Sequence, residues 1–146
     1  GSYAFGAQFG IKGQYFNFLT DDGAYEIDYT GGFDLSDSFF LGINAATYKS
    51  DTIGFSGVAL YPQLATSDSF SIGLRGEYFA ETGDFGAIGT GVEDSSVIAL
   101  TLTGSATIGN LILKPELRLD ASSDAAFLDG TSKSLSSFVL AAIVSL

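Results

Sequence analysis

The sequence contains no cysteine, histidine, methionine or tryptophan, and it has only two prolines in 146 residues. Without cysteine the chain has no disulfide and no thiolate nucleophile. Without histidine it lacks the commonest general base and the commonest metal ligand, and Ser-His and Asp-His catalytic arrangements are impossible. We therefore expect no enzyme of the usual designs, no metal and no cofactor.

Long hydrophobic runs are missing too, although the composition is apolar. The mean hydropathy is +0.31, yet no uninterrupted apolar run approaches the ~18 to 20 residues of a membrane helix. The apolar residues must therefore be distributed by alternation. Nineteen glycines and 14% aromatic residues favour strands and turns over helices. The length predicts a single domain, residues 1–146.

Period-two alternation recurs along the chain and predicts eight strands. It is clearest in LILKPELRLD, residues 111–120, where apolar residues alternate with four charged ones. The first predicted strand runs unbroken from Tyr3 to Tyr15. The others cover residues 25–33, 39–46, 53–64, 70–78, 98–108, 111–120 and 137–146.

The connections between these strands alternate in length. Tight turns are predicted at 34–37, 65–68 and 109–110. Between them lie connections at 20–23, 48–52, 81–95 and 121–134, of which the last two are clearly longer. In an up-and-down meander the two sets emerge at opposite ends, as in bacterial outer-membrane barrels with short periplasmic turns. The pattern predicts an all-β, eight-stranded antiparallel up-and-down transmembrane β-barrel, whose even strand number places both termini in the periplasm.

Charges within the predicted strands lie on one face only. A charge facing lipid costs about 2–4 kcal/mol near the bilayer midplane, so the uncharged face is suited to lipid. The charged face is then predicted to line a lumen, where opposite charges neutralise one another. The candidate lumen residues are Lys12, Glu26, Asp28, Arg75, Glu77, Lys114, Glu116, Arg118 and Asp120.

Aromatic residues on the uncharged face form a second candidate set. Membrane barrels carry aromatic girdles at both interfaces with water. The residues predicted to form them are Tyr3, Phe5, Tyr15, Tyr25, Tyr29, Phe33, Phe39, Tyr78 and Phe138.

A soluble sandwich or lipocalin-like barrel would show the same alternation, with its apolar face packed inward. Two observations argue against it. The apolar faces of eight strands hold more large side chains than one small barrel accommodates. The opposite faces hold mostly Gly, Ala, Ser and Thr, and only 16% of the chain is charged, whereas soluble surfaces usually carry more charge.

Several motifs occur in order between residues 57 and 146. They are GVALYPQLATSDSFSIGLRGEYFAETGDF at 57–85, NLILKPELRLD at 110–120 and FLDG at 127–130, followed by a final strand. These motifs resemble the second family of β-barrel porins, the OmpL-like family. The resemblance implies an outer-membrane porin with Arg75, Glu77, Glu116, Arg118 and Asp120 on matching positions. Members of that family are usually longer, and the last strand here lacks their terminal aromatic residue.

Barrel size limits the expected function. Eight strands enclose an interior that side chains fill, whereas open channels need about 16 to 18 strands. We expect a narrow charged lumen that passes small ions weakly, with cations favoured by the acidic loops. The alternative is a non-conducting structural or docking barrel, natural or engineered, whose external loops contact a partner.

The expected partners follow from the same reasoning. They are membrane lipid or detergent and small ions, while a protein partner or further copies of the chain are left open. Nucleic acid is not expected, because its phosphates would be repelled by the acidic chain.

Overall fold

The computed structural model describes residues 3–145, which form one antiparallel sheet of nine strands. Strand order in the sheet follows the chain, so the topology is an up-and-down meander. None of the described residues forms a helix long and apolar enough to cross a membrane. The strands are β1 (Phe5–Ile11), β2 (Gln14–Thr20), β3 (Ala24–Asp34), β4 (Phe39–Ser50), β5 (Ile53–Ser67), β6 (Phe70–Thr82), β7 (Ser96–Ile108), β8 (Leu111–Ser122) and β9 (Ser134–Val144).

The prediction of eight strands is wrong because residues 3–15 contain a hairpin. Lys12 and Gly13 have φ of 48° and 76°, and positive φ at both central residues is the signature of a two-residue type I′ turn. Ile11 pairs directly with Gln14 across this turn. Cross-strand partners share a face, so the turn reverses the parity and Tyr15 lies on the opposite face from Ile11.

The two faces of the sheet separate apolar from polar side chains, as the alternation predicts. We call the more buried face the inner face: on β7, Ala99 and Thr101 are 1% and 5% exposed. Their neighbours on the outer face, Leu100 and Leu102, are 49% and 47% exposed. The described chain therefore leaves a broad apolar outer surface uncovered, which suits contact with lipid.

One charged side chain within the described strands lies on the outer face. Lys49 is the last but one residue of β4 and pairs across the sheet with Tyr25. A lysine near the end of a strand can extend its ammonium group towards water while its methylene groups stay on the apolar surface.

The predicted girdle aromatics divide between the faces. Tyr15 is a correction, because it lies on the inner face with Asn17. Tyr3 precedes β1 and is exposed. The remaining seven, Phe5, Tyr25, Tyr29, Phe33, Phe39, Tyr78 and Phe138, lie on the outer face. Their role at a membrane interface stays a prediction.

The connections emerge alternately at the two ends of the sheet, and both long connections emerge at the same end. At what we call the short-turn end, they are residues 12–13, 35–38, 68–69 and 109–110. At the long-loop end, they are 21–23, 51–52, 83–95 and 123–133. The connection predicted at 48–52 is shorter than its predicted bounds, since β4 and β5 extend to leave a two-residue turn.

The sheet has two open edges. Over residues 3–145 β1 and β9 each pair with one neighbour and not with each other, so closure into a barrel stays a proposal. An odd number of strands also makes β1 and β9 run in the same direction. β1 begins at the long-loop end and β9 finishes at the short-turn end. The even strand count had predicted that both chain ends lie on one side, whereas the ends of the described chain lie on opposite sides.

Candidate lumen site

Six of the nine predicted lumen residues lie together on the inner face of β6 and β8. Strand register places them there: Arg75 pairs with Thr101, which pairs with Arg118, while Ala99 lies between Glu77 and Asp120 in the same way. The intervening β7 side chains are small, so long side chains can reach across them. The six residues, which we call the charge cluster, are Arg75, Glu77, Lys114, Glu116, Arg118 and Asp120.

Four members of the cluster form a continuous row of ion pairs. Arg118 Nε donates to both carboxylate oxygens of Asp120 at 3.0 and 3.1 Å, and its Nη2 lies 2.8 Å from Asp120 Oδ1. The same Nη2 is 3.6 Å from Glu77 Oε1, and Glu77 also pairs with Arg75. Two bases and two acids thus neutralise one another, and the forked hydrogen bonds fix the Arg118 side chain.

Arg75 is held from a second side by an aromatic ring. Its guanidinium carbon lies 5.4 Å from the centroid of the Tyr61 ring, a cation–π distance. Arg75 Nε is buried and has no hydrogen-bond partner among the described residues. Arg75 therefore keeps an unused donor beside its ion pair.

The other two members lie nearer the short-turn end. Glu116 accepts a hydrogen bond from Thr103 Oγ1 at 2.9 Å. Lys114 makes no ion pair with any residue between 3 and 145. Both line a cavity of about 380 Å³ whose other walls include the hydroxyl groups of Ser71 and Ser105. This part of the site is a hydroxyl-rich surface with an available ammonium group.

The remaining predicted lumen residues do not join the cluster. Glu26 and Asp28 are on the inner face of β3, separated from β6 by β4 and β5. Asp28 Oδ1 accepts from Asn17 Nδ2 at 2.6 Å, and Asn17 Oδ1 accepts from Gln8 Nε2 at 2.7 Å. Lys12 lies in the β1–β2 turn rather than on a strand face, which corrects its predicted place in the lumen.

The connection 83–95 folds over the inner face at the long-loop end. The ring of Phe85 packs against Tyr48 and Phe55, with centroid distances of 5.8 and 5.3 Å. Phe55 in turn stacks on Tyr48 at 5.8 Å and on Phe79 at 5.3 Å. These four rings form an aromatic cluster that anchors the loop to β4, β5 and β6.

Hydrogen bonds hold the same loop in place. Glu81 is only 6% exposed, and its Oε1 accepts from the backbone N–H of Ile88 at 2.9 Å. Asp94 closes the base of the loop, because its carboxylate accepts from the N–H of Gly83 at 2.8 Å. The sequence predicts this segment only as a longer connection. Its apolar residues Phe85, Ala87 and Ile88 indicate that part of it is buried, although they do not indicate against which surface.

A second cavity of about 540 Å³ lies between this loop and the charge cluster, and we call it the chamber. Aromatic rings form part of its wall, Ala87 and Ile88 of the loop cover it, and paired charges form its polar side. The lining includes Phe55, Phe79, Phe127, Asn44, Arg75, Glu77, Arg118 and Asp120. Within residues 3–145 no group of carboxylates is arranged to hold a metal ion.

An antiparallel meander with an apolar outer face and a charged inner face is the architecture of the porin class. The family model described as "Putative beta-barrel porin-2, OmpL-like" matches residues 2–146. The chain belongs to this family, which confirms the resemblance seen in the sequence and assigns a porin of the bacterial outer membrane.

Comparison with solved structures supports the fold. A structure titled "NanC porin structure in rhombohedral crystal form" matches with a TM-score of 0.59 at 12% sequence identity. The match covers 95% of this chain and 72% of the NanC chain. At this identity the likeness concerns the fold alone. A search of curated proteins found no match.

Proposed function

We propose that the chain forms a porin-type barrel whose narrow, charged lumen passes small ions weakly and favours cations. The observation that carries this proposal is the position of the row from Arg75 to Asp120 on the inner face, with half-exposed leucines on the outer face of the same strands. Paired charges lining a polar passage and apolar residues facing lipid are what a membrane pore requires.

Closure of the sheet is part of the proposal. Unpaired backbone N–H and C=O groups of β1 and β9 would cost several kcal/mol each in lipid. Because the two edge strands run in the same direction, they can close by a parallel pair, as in membrane barrels with an odd strand number. Alternatively, both edges pair with an odd number of further strands, which keeps every pair antiparallel.

Cation preference rests on the distribution of the acidic residues. The connections at the long-loop end carry eight acidic residues and one basic residue: Asp21, Asp22, Asp51, Asp84, Glu93, Asp94, Asp124, Asp129 and Lys133. Glu26 and Asp28 add negative charge on the inner face of β3, whereas the charge cluster has equal numbers of acids and bases. A pore entrance whose charges are mostly of one sign raises the local concentration of ions of the opposite sign.

Weak conduction rests on the loop 83–95. Phe85 and Ile88 lie over the inner face, so the loop narrows the passage at the long-loop end. The same observation favours the alternative, a non-conducting barrel that presents its loops to a partner. Leu128 in the 123–133 connection is 65% exposed, which would suit such a contact.

Reversal potentials in a potassium chloride gradient test the ion pore. The wild type in a planar bilayer should give a potential of the cation-selective sign, and the triple variant Asp22→Asn, Glu93→Gln, Asp129→Asn should move it towards zero. The triple variant Asp34→Asn, Asp37→Asn, Asp68→Asn, which removes the same number of charges at the short-turn end, is the matched control and should move it less. Anion selectivity of the wild type would refute the cation proposal.

A further inference from the structure

We infer that the chamber is a binding site for a small neutral saccharide. The inference deepens the proposed function, on which it rests, by naming a class of solute that the passage retains. It depends on the charges, the walls and the size of the chamber.

The charges of the chamber are already balanced. Arg75 and Arg118 are paired with Glu77 and Asp120, so the four groups have no net charge and a lone ion gains little from them. They still present N–H donors and carboxylate acceptors side by side. A hydroxyl group both donates and accepts, so a polyol can satisfy both kinds of group at once.

The walls of the chamber supply flat apolar surfaces. Phe55 and Phe79 stack with their centroids 5.3 Å apart, and Phe127 reaches the chamber from the 123–133 connection. A sugar ring has polar edges and an apolar C–H face. Its face can therefore pack on the aromatic rings while its hydroxyl groups hydrogen-bond to the row of paired charges. Ligand sites are typically built this way, from mostly apolar walls with a few placed polar groups.

The size of the chamber fits the same class. Its volume of about 540 Å³ lies within the roughly 300–1,000 Å³ range of small-molecule sites. The cavity that contains Lys114 shares Arg75 and Arg118 with the chamber, and it differs in adding a lysine that makes no ion pair within residues 3–145. A sugar acid would therefore prefer the Lys114 cavity, and a neutral sugar the chamber.

Saturation-transfer NMR on the full chain folded in detergent tests the inference, with glucose and glucuronate as probes. We expect saturable glucose binding that weakens about tenfold, or 1.4 kcal/mol, in Phe127→Ala. Ala87→Phe, which fills the chamber, should abolish it. Phe138→Ala removes a ring from the outer face and serves as the matched control, with unchanged binding.

Three results would overturn the inference: no saturable binding of glucose, equal binding by wild type and both chamber variants, or displacement of glucose by much lower concentrations of glucuronate. Ion conductance of the same preparation separates this inference from the proposed function. Conductance without glucose binding refutes the saccharide site alone. Glucose binding without conductance refutes the ion pore and leaves the chamber as a binding site.

Discussion

Arg118 and Glu77 meet across β7, where Arg118 Nη2 lies 3.6 Å from Glu77 Oε1. This contact joins the Arg75–Glu77 and Arg118–Asp120 pairs into one row. It exists because the β7 residues between them are alanine and threonine, which leave the space above the strand free. The row ties β6 to β8 on the inner face.

Removal of Arg118 should change both stability and selectivity. In Arg118→Ala the carboxylate of Asp120, whose side chain is 10% exposed, loses its partner, and we expect unfolding in detergent to become easier by about 1–3 kcal/mol. The inner face also gains one net negative charge, which should raise cation selectivity. Lys114→Ala removes a base without an ion pair in the described chain, so it should cost less stability; equal losses would contradict the role assigned to the row.

The outer face should not accept a charge. Leu117 lies on β8 between Glu116 and Arg118 but points to the opposite face, where it is exposed. Leu117→Arg should hinder insertion into lipid by about 2–4 kcal/mol if the residue lies near the midplane. Ser105→Lys, on the inner face, is the comparison and should insert. Insertion yields into vesicles measure both, and normal insertion of Leu117→Arg would argue for a different orientation of the sheet.

The loop 83–95 should limit conductance. Phe85→Ala removes the ring that packs against Tyr48 and Phe55, so we expect a larger single-channel conductance with little loss of global stability. Val92→Ala alters an exposed residue of the same loop and should leave the conductance unchanged. If Phe85→Ala conducts like the wild type, the loop does not narrow the passage.

The β1–β2 turn should be sensitive to a side chain at Gly13. Its φ of 76° disfavours any residue with a Cβ, and Gly13→Ala should lower the free energy of unfolding by about 1–2 kcal/mol. Gly76→Ala is a suitable control, since an added Cβ there would lie 3.7 Å from Leu100 Cδ2, an ordinary contact. Equal stabilities of the two variants would speak against the hairpin.

Local alternation predicted the strands from β3 to β9 and the face of the charges on β8 and of Arg75 and Glu77 on β6, while Glu81 of β6 was assigned to a connection. It succeeded because side chains alternate strictly along a strand, so residues such as Glu116 and Arg118 need no tertiary information. It failed at Lys12 because apolar residues continue to alternate through a two-residue turn. That single omission changed the strand number, the face of Tyr15 and the relative positions of the chain ends.

The chamber could not be predicted from local pattern. Phe85 contacts Tyr48 and Phe55, and Glu81 accepts from Ile88, but nothing in the spacing of these residues specifies a loop that folds inward. The separation of Glu26 and Asp28 from the charge cluster is likewise set by the number of strands between them, which only the sheet order reveals.

Thiol accessibility across the two faces of β7 tests the central claim most directly. The chain has no cysteine, so Thr103→Cys on the inner face and Leu102→Cys on the outer face can each be labelled alone. In bilayers a charged, membrane-impermeant thiol reagent should react with Thr103→Cys and reduce its current, and it should leave Leu102→Cys unmodified. Rapid labelling of Leu102→Cys with protection of Thr103→Cys would contradict the account, because the charged face would then not line a water-filled passage.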